Sequence, residues 1–414
     1  MSDKIFEAAL DINDPWYIEN VTFDNATKRL DIHISFHRGS KFLSGIEGDS
    51  GKYSVYDTTL KSWRHLSFFE HEAYLHCKTP RIKLDDGKTK MVSPPWAGKA
   101  HGFTLLFEAM LIRLCEEMPV ATVSQLAGID DGKLWRILEK YVITARSLNE
   151  YRSLKAIGVD ETSQKKGHDY VTLFVDLDER KTLYVTKGKD HETFQKFARD
   201  LHLHSGKEEQ ILDISCDMSP AFIKGAGKFF PEAKITFDKF HIIKILNEAV
   251  DKVRREEAKV QPLLKSTRYL WLKNESTLTV KEKTDLEKLK LPKLNLKSFR
   301  AMQIRENFQA IYQAESEKDF LLLLNKWYFW ATHSRLKPII KAAKTIKSHW
   351  DGITAWFGSR YNNGILEGLN SLIQTAKSRA RGFRNFRYFR TMIYLITGDL
   401  NLSKVNLHYG RTHI

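Results

Sequence analysis

Two aspartates follow short apolar runs in the middle of the chain. Asp160 closes the run at 154–159, and Asp217 closes a run that starts at 210. A short apolar run with polar flanks predicts a strand, so each carboxylate is expected where a buried strand leaves the core. Because side chains alternate along a strand, Gly158 shares a face with Asp160, and Ser215 with Asp217. These small residues would leave space beside the carboxylates for hydrated metal ions.

Two acids at the ends of neighbouring strands create an electrostatic problem. Like charges at close range raise a pKa or require a cation. Mg²⁺ suits such a site because it takes few carboxylates together with water and phosphate oxygens. A pair of these ions, about 3.5–4 Å apart, can hold both the attacking and the leaving oxygen of a phosphoryl transfer. The same pattern is also typical of strand-end aspartates that only cap loops, and the residues alone leave this alternative open.

A third acid with suitable neighbours is Glu367, within a predicted helix at 361–381. On this helix Glu367 shares the polar face with Asn370, Ser371, Gln374 and Ser378. A lone glutamate on a polar helix face is usually only solvated. Here a dense group of cations follows it, so the acid is expected beside a phosphate-binding surface. The predicted apolar stripe is Ile365, Leu369, Leu372, Ile373 and Ala376, and the cations are Lys377, Arg379, Arg381, Arg384, Arg387 and Arg390.

The segments between these acids predict the elements that position them. Residues 170–175 and 182–185 are rich in β-branched and aromatic side chains, and the polar turn between them predicts an exposed antiparallel hairpin. A helix is expected from 191 to 203, before the strand that ends at Asp217. Ser219 and Pro220 suit the N-cap and the first position of a further helix.

The first third of the chain predicts two kinds of structure. Residues 15–90 alternate short β-rich runs with turn residues, which indicates a β-rich unit. From Phe103 the pattern becomes helical, with Leu106, Met110 and Leu114 on one apolar stripe.

Residues 119–140 show the layout of a helix-turn-helix, with Gly128 at the turn and a second helix from Asp130 or Asp131. If this motif reads DNA, Lys133 and Arg136 lie on the exposed face of the second helix while Leu134, Ile137 and Leu138 pack inward. Helical hairpins without a DNA role are also common, so the pattern alone leaves both interpretations open.

The composition indicates a polyanionic partner and a reducing compartment. The chain has 414 residues, with 66 Lys and Arg against 51 Asp and Glu, a net charge of +15. Such an excess favours nucleic acid. The N-terminus lacks the pattern of a signal peptide, and the longest apolar run is too short to span a bilayer. Three well-separated cysteines give neither a disulfide framework nor a zinc site, so a cytoplasmic location with the nucleoid DNA is expected.

Several blocks of the sequence together resemble the DDE transposases of bacterial insertion sequences, most closely the ISL3 family. The principal blocks are VDETS at 159–163, DMSPAF at 217–222, the stretch at 230–256, and NNGILEGLN with AKSRARGF within 362–383. Shorter matches, SWRHL, TPRIK and PPWA, extend the resemblance over nearly the whole chain.

The resemblance implies an α/β RNase H-like catalytic core, a mixed sheet with flanking helices. Its three acids would be Asp160, Asp217 and Glu367, holding two Mg²⁺ or Mn²⁺ ions. The gap between the last two acids is too long for a compact core, and its residues are helix-rich, so an all-α insertion is expected. The expected segments are a β-rich ribbon-like DNA-binding unit at 1–98, the helix-turn-helix unit at 99–150, the first part of the core at 151–245, the insertion at 246–350 and the second part of the core at 351–414.

The implied activity is cleavage and joining of double-stranded DNA. A homodimer would bind the terminal inverted repeats, cut the strand and join the freed 3′ hydroxyl to target DNA. A non-catalytic DNA-binding regulator and a nuclease without strand transfer are the alternatives. Asp238 and His241 also match the family pattern and are secondary site candidates, although a histidine at a strand-to-helix junction is more often structural.

Two further expectations concern zinc and tryptophan. Related transposases often carry the cysteine pairs of a zinc ribbon near the N-terminus, whereas this chain has only Cys77 there, so no structural zinc is expected. One of the four tryptophans Trp327, Trp330, Trp350 and Trp356 could stack on a flipped base, but packing in a helical core is the favoured interpretation.

Overall fold

The structure, a computed structural model, divides the chain into two compact units. One consists of residues 1–149 together with 375–414, and the other of residues 150–374. The residues described are 2–46, 48–100, 102–165, 169–274, 277–290, 294–359, 361 and 364–405. Positions 362 and 363 of the NNGILEGLN block therefore lie outside them. The boundaries of the five expected segments stay predictions.

The first unit opens with helix α1 (Ser2–Leu10) and a six-stranded sheet. Alternation buries one face of this sheet: in β5, Ala73, Leu75 and Cys77 are buried while Tyr74 and His76 between them are partly exposed. The sheet order is β1-β2-β5-β4-β3, with β6 paired to β5. The strands are β1 (Trp16–Asp24), β2 (Arg29–Phe36), β3 (Lys41–Leu43), β4 (Lys52–Arg64), β5 (Glu72–Lys83) and β6 (Thr89–Met91).

Three helices follow: α2 (Leu105–Glu117), α3 (Val120–Ala127) and α4 (Asp131–Ser147). Gly128 ends α3 with a φ of 64°, the left-handed conformation that glycine adopts without strain. The Asp130 side chain accepts a hydrogen bond from the backbone N–H of Lys133 and caps α4. The predicted helix-turn-helix layout is confirmed.

The apolar stripe predicted for α2 is wrong by one position. Leu106, Met110 and Leu114 are only partly buried, and the core-facing side chains include Phe107, Leu111 and Cys115. Apolar residues occupy most sides of this helix, so spacing alone does not distinguish the two stripes.

The second unit is built on a five-stranded mixed sheet in the order β11-β10-β7-β8-β9. β7, β8 and β9 pair antiparallel, whereas β10 pairs parallel to both β7 and β11. Helices α5 (Glu192–Leu203) and α6 (Pro220–Phe229) make the crossovers, and Ser219 and Pro220 take their predicted positions at the start of α6. The strands are β7 (Ala156–Ser163), β8 (Tyr170–Asp176), β9 (Lys181–Lys187), β10 (Asp213–Cys216) and β11 (Lys234–Phe237).

Two details of this sheet differ from the sequence-based expectation. β7 does not end at Asp160 but continues to Ser163, because β8 pairs with it as far as Ser163 and Tyr170. The β8–β9 hairpin is also not exposed. Helix α5 covers it, and Phe174 of β8 stacks on Phe197 of α5 with ring centres 4.4 Å apart.

After β11, the described residues of the second unit form helices and connecting segments only. Their apolar side chains join those of the sheet in one core, where Trp271 and Trp327 are buried. Trp327 donates to the carbonyl of Ile304, as the packing interpretation expects. The helices are α7 (Lys239–Glu257), α8 (Arg268–Leu272), α9 (Val280–Leu289), α10 (Lys297–Ile311), α11 (Glu317–Thr332), α12 (Lys337–Lys347), α13 (Trp350–Thr354), α14 (Trp356–Ser359) and α15 (Gly364–Arg379).

Helix α16 (Phe386–Thr397) belongs to the first unit and packs on α4. Along the described part of the chain, no helix combines the length and the apolar character needed to cross a membrane.

A buried glutamate stabilises the start of the helical part of the first unit. Glu108 on α2 has no exposed surface. Its carboxylate accepts hydrogen bonds from the backbone N–H groups of Lys99 and Ala100, at 2.8 and 2.7 Å, and from the Tyr141 hydroxyl of α4 at 2.6 Å. Burial raises the pKa of Glu108, and these three donors oppose the shift. The side chain thus joins one loop and two helices.

Replacing Glu108 with Ala should lower the free energy of unfolding by about 2–4 kcal/mol, because it leaves buried donors without an acceptor. Urea unfolding followed by tryptophan fluorescence measures this change. Glu117→Ala, an exposed position on the same helix, is the matched control and should unfold like the wild type. An unchanged urea midpoint for Glu108→Ala would show that the three hydrogen bonds contribute little.

Candidate active site

Three acids lie side by side at one edge of the mixed sheet. In the parallel pairs, Ser215 of β10 lies opposite Gly158 of β7 and Thr236 of β11. Asp160, Asp217 and Asp238 each follow two residues later, so they lie at one level on three neighbouring chain segments. The backbone N–H of Asp238 donates to the carbonyl of Cys216 at 3.1 Å, which extends this register to the last acid.

Asp160 lies in a polar but partly buried environment. One carboxylate oxygen accepts the backbone N–H of Glu161 at 2.8 Å, and the other accepts the side-chain amide of Asn370. Burial raises the pKa of Asp160 to about 6. The charges of Asp217 and Asp238 act in the same direction, while the Glu161 N–H and His241 oppose them. A cation at this position would therefore stabilise the ionised carboxylate.

Helix α15 lies along β7 with three successive contacts. A side chain at Gly158 would come within 3.0 Å of Leu366, the Asn370 amide donates to Asp160, and the Gln374 amide donates to Thr162 at 2.6 Å. The expectation of open space at Gly158 is thus wrong: the missing side chain lets the helix approach closely, and Leu366 and Leu177 together fill the space.

The buried stripe of α15 also differs from the prediction. Leu366, Leu369 and Ile373 are buried, whereas Leu372 is 53% exposed. Asn370 belongs to the predicted polar face, yet its Oδ1 atom is buried and has no hydrogen-bond partner within the described residues. The helix therefore presents polar as well as apolar side chains to the sheet.

Glu367 is exposed, one turn before Asn370. It lines a pocket that Asp238 and Lys239 also line. Among the residues that the structure describes, no three His, Cys, Asp or Glu side chains form a group that could hold a metal ion. The structure thus brings Asp160 and Asp217 to neighbouring positions, while the convergence of Glu367 with them stays a prediction.

The secondary candidates Asp238 and His241 lie next to each other at the start of α7. Asp238 is buried and accepts the backbone N–H of Phe240 at 2.9 Å, which caps the helix. His241 Nδ1 lies 3.4 Å from an Asp238 oxygen, and that nitrogen is buried without a hydrogen-bond partner among the described residues. Since the charges of both residues influence Asp160, both belong to its immediate environment.

The cations predicted to bind DNA lie in the first unit or at its boundary. Lys133 and Arg136 are exposed on α4, while Leu134, Ile137 and Leu138 are fully buried, as predicted. Arg136 donates to the carbonyl of Gly132, one turn earlier on the same helix.

The C-terminal cations differ in their surroundings. Arg381 and Arg384 are exposed, and Lys377 is partly buried. Arg379 donates to the carbonyl of Glu117 at 3.1 Å, and Arg387 pairs with Glu139 of α4 at 2.9 Å. Some of these side chains therefore join the C-terminal segment to the helix-turn-helix.

Two family models match this chain. A family model of the ISL3 DDE transposases, described as a transposase, matches residues 157–393. A second model, the helix-turn-helix domain of transposase family ISL3, matches residues 92–142. The chain belongs to the ISL3 family of transposases.

Curated relatives of this transposase match it over most of its length. The transposase for insertion sequence element IS1557 of Mycobacterium tuberculosis is 25% identical over 417 residues, which cover 92% of each chain. The transposase for insertion sequence element IS1001 of Bordetella parapertussis is 26% identical over 346 residues, covering 81% of this chain and 84% of that one.

Sequence reasoning missed two residues of this transposase that lie at or beside the acids. Asn370 contacts Asp160, and the signal available was its position one turn after Glu367. Phe240 lines the pocket beside Asp238 and Glu367, and the signal was an apolar residue in the first turn of a helix that follows an acid.

Replacing Asn370 with Asp should lower the free energy of unfolding of this transposase by about 1–3 kcal/mol, because a second carboxylate then replaces the donor to Asp160. Gln374→Glu is the matched control, since the same change one turn later faces the Thr162 hydroxyl, which can donate to a carboxylate. Thermal or urea unfolding without metal measures both. Equal losses of unfolding free energy in the two variants would show that the Asn370–Asp160 contact has no special role.

Proposed function

We propose that this transposase cleaves DNA at the ends of its insertion sequence and joins the freed 3′ hydroxyl to target DNA, with Asp160, Asp217 and Glu367 as its catalytic acids. The observation that carries the proposal is the register of β7 and β10. It puts Asp160 and Asp217 at one level, and α15, the helix that contains Glu367, contacts Asp160 through Asn370.

We assign an RNase H-like core to the second unit, with residues 246–350 as an insertion. Support comes from the strand order, in which three consecutive antiparallel strands are followed by two parallel strands on the side of β7. The helical segment follows β11 and precedes α15 in the chain, so it separates Asp217 from Glu367 in sequence.

The side chains at the sheet edge fit Mg²⁺ or Mn²⁺. The donors are carboxylate oxygens, which these ions prefer. Burial raises the pKa of Asp160, the neighbouring charges of Asp217 and Asp238 add to this shift, and the Asn370 Oδ1 atom lacks a hydrogen-bond partner within the described chain. Asp160, Asp217 and Glu367 would hold two ions, which when bound would polarise the scissile phosphate and favour ionisation of the attacking hydroxyl.

The chemistry exchanges one phosphorus–oxygen bond for another in each step. In cleavage, a water oxygen bonds to phosphorus while the bond to the 3′ oxygen breaks and that oxygen takes a proton. In strand transfer, the oxygen of the same 3′ hydroxyl loses its proton and bonds to a target phosphorus, while the bond to the 3′ oxygen of the target strand breaks and that oxygen takes a proton. The protein positions the reacting groups: Asn370 and the Glu161 N–H hold the Asp160 carboxylate, and the Ser219 N–H holds Asp217 at 2.9 Å.

The first unit would bind the terminal inverted repeats. Lys133 and Arg136 on α4 would reach base edges in the major groove, while Lys377, Arg379, Arg381 and Arg384 would contact phosphates. Because two ends must be held together for transposition, a homodimer on DNA is the expected assembly.

Replacing Asp160, Asp217 or Glu367 singly with Ala should reduce strand cleavage by at least about 100-fold, because each acid would hold a cation that stabilises charge at the reacting phosphate. Cleavage of labelled end DNA in Mg²⁺ measures this loss. Binding of the same DNA without metal should persist in all three variants, since removing a carboxylate also removes repulsion of phosphate.

Glu232→Ala is the control for these variants, because Glu232 is an exposed carboxylate of the same unit outside the predicted catalytic set and should retain cleavage. Retained cleavage after any of the three substitutions would remove that residue from the catalytic set. Cleavage without strand-transfer products would indicate a nuclease, and DNA binding without metal-dependent cleavage by the wild type would indicate a regulator.

Replacing Arg381 with Ala should weaken binding to all DNA sequences alike and reduce the slope of log affinity against log salt by about 1, since one phosphate contact is lost. Titrations at several salt concentrations, with end DNA and with unrelated DNA, measure this. Arg152→Ala, an exposed arginine outside the predicted DNA-binding segments, should leave the slope unchanged. A loss confined to end DNA would contradict the assignment of Arg381 to phosphate.

A further inference from the structure

A second feature of the catalytic unit is the pocket beside Asp238 and Glu367. Its volume is about 570 Å³, within the range of pockets that bind small organic groups. One wall is the first turn of α7, with Lys239 and Phe240, and the opposite wall is α10, with Gln309 and Gln313. The pocket therefore lies between the sheet edge and the helical segment.

The Phe240 ring beside this pocket is largely exposed to solvent. It is 58% exposed, whereas Phe308 of α10 and Phe320 of α11 are buried in the core. Within the described residues, the Phe240 ring makes an edge contact with the ring of the neighbouring His241, with ring centres 5.8 Å apart. Both the apolar character and the flat shape of the ring suit a planar partner that stacks on it.

Three side-chain amides face the same pocket. Asn274, Gln309 and Gln313 line it, and none of these amides has a hydrogen-bond partner among the described residues. An amide presents a donor and an acceptor side by side, which matches the edge of a nucleobase. The hydrogen-bonding groups of the pocket are thus suited to a neutral planar ring with its own donors and acceptors.

The charges around the pocket disfavour phosphate as the occupant. Asp238, Glu306 and Glu367 are acidic, and Lys239 is the one basic residue among the described residues that line it. The Lys239 ammonium is directed to the Tyr312 ring, 4.5 Å from its centre. A neutral base meets no repulsion from these carboxylates, whereas a phosphate does.

We propose that this pocket receives an unpaired base of the DNA strand held at the acids, with Phe240 stacked on the base and the amides of Asn274, Gln309 and Gln313 bound to its edge. The proposal rests on the function proposed above and adds a binding site to it. When one base leaves the duplex and enters the pocket, its adjoining phosphate would remain at the sheet edge, outside the pocket.

The experiment uses the full-length protein and an end duplex that carries a short unpaired 3′ overhang with 2-aminopurine in it. The blunt duplex of the same sequence is the comparison probe. Binding is titrated in metal-free buffer by fluorescence anisotropy, and the 2-aminopurine emission reports whether the unpaired base is stacked. Circular dichroism and unfolding curves check that each variant is folded.

Phe240→Ala should weaken binding of the overhang DNA about tenfold, because one base–aromatic stack is lost, and should abolish the change in 2-aminopurine emission. Binding of the blunt duplex should change less than about twofold. Phe240→Trp should restore overhang binding. The matched control is Phe329→Ala, an aromatic residue of the same unit that is 64% exposed and lies on α11, and it should behave like the wild type.

Equal effects of Phe240→Ala on both DNA forms, or no effect on either, would overturn the pocket assignment. Failure of the wild type to bind the overhang DNA would also overturn it. Cleavage of the same DNA in Mg²⁺ is measured separately. Wild-type cleavage with overhang binding insensitive to Phe240 refutes the base pocket alone, while Phe240-dependent binding without any cleavage refutes the catalytic proposal alone.

Discussion

The parallel pairing of β7, β10 and β11 is the constraint on which the site depends. It brings Asp160, Asp217 and Asp238 to one level at one edge of the sheet, in a partly buried environment. Burial and the neighbouring charges of Asp217 and Asp238 make ionisation of Asp160 less favourable, so the arrangement costs free energy in the absence of a counter-charge.

The surroundings of the three acids reduce this cost only in part. Asn370 and the Glu161 N–H donate to Asp160, the Ser219 N–H donates to Asp217, and the Phe240 N–H donates to Asp238. These donors fix the orientation of the carboxylates, yet the pKa of Asp160 stays raised. The close approach of α15 depends on Gly158, since Leu366 occupies the place of a side chain there. Backbone and packing thus orient the acids, and a counter-charge would still favour ionisation of Asp160.

Local patterns predicted much of the fold and part of the site. Alternation and turn residues identified the strands around Asp160 and Asp217, and the glycine at 128 identified the helix-turn-helix. Local patterns do not reveal contacts between segments that are distant in sequence. The polar face of its own helix favours solvent exposure of Asn370. Only the packing of α15 on β7 brings this side chain to Asp160. Similarly, the polar turn predicts an exposed β8–β9 hairpin, whereas in the structure α5 packs against it.

The packing of the helix-turn-helix of this transposase also depends on helix α16. Trp135 of α4 stacks on Tyr388 of α16 with ring centres 4.1 Å apart, and Arg146 lies over the Tyr394 ring. These partners follow the whole second unit in the sequence. On the ribosome, α4 therefore lacks part of its packing until α16 has been synthesised, and a chain truncated before α16 would lack the Tyr388 ring that stacks on Trp135.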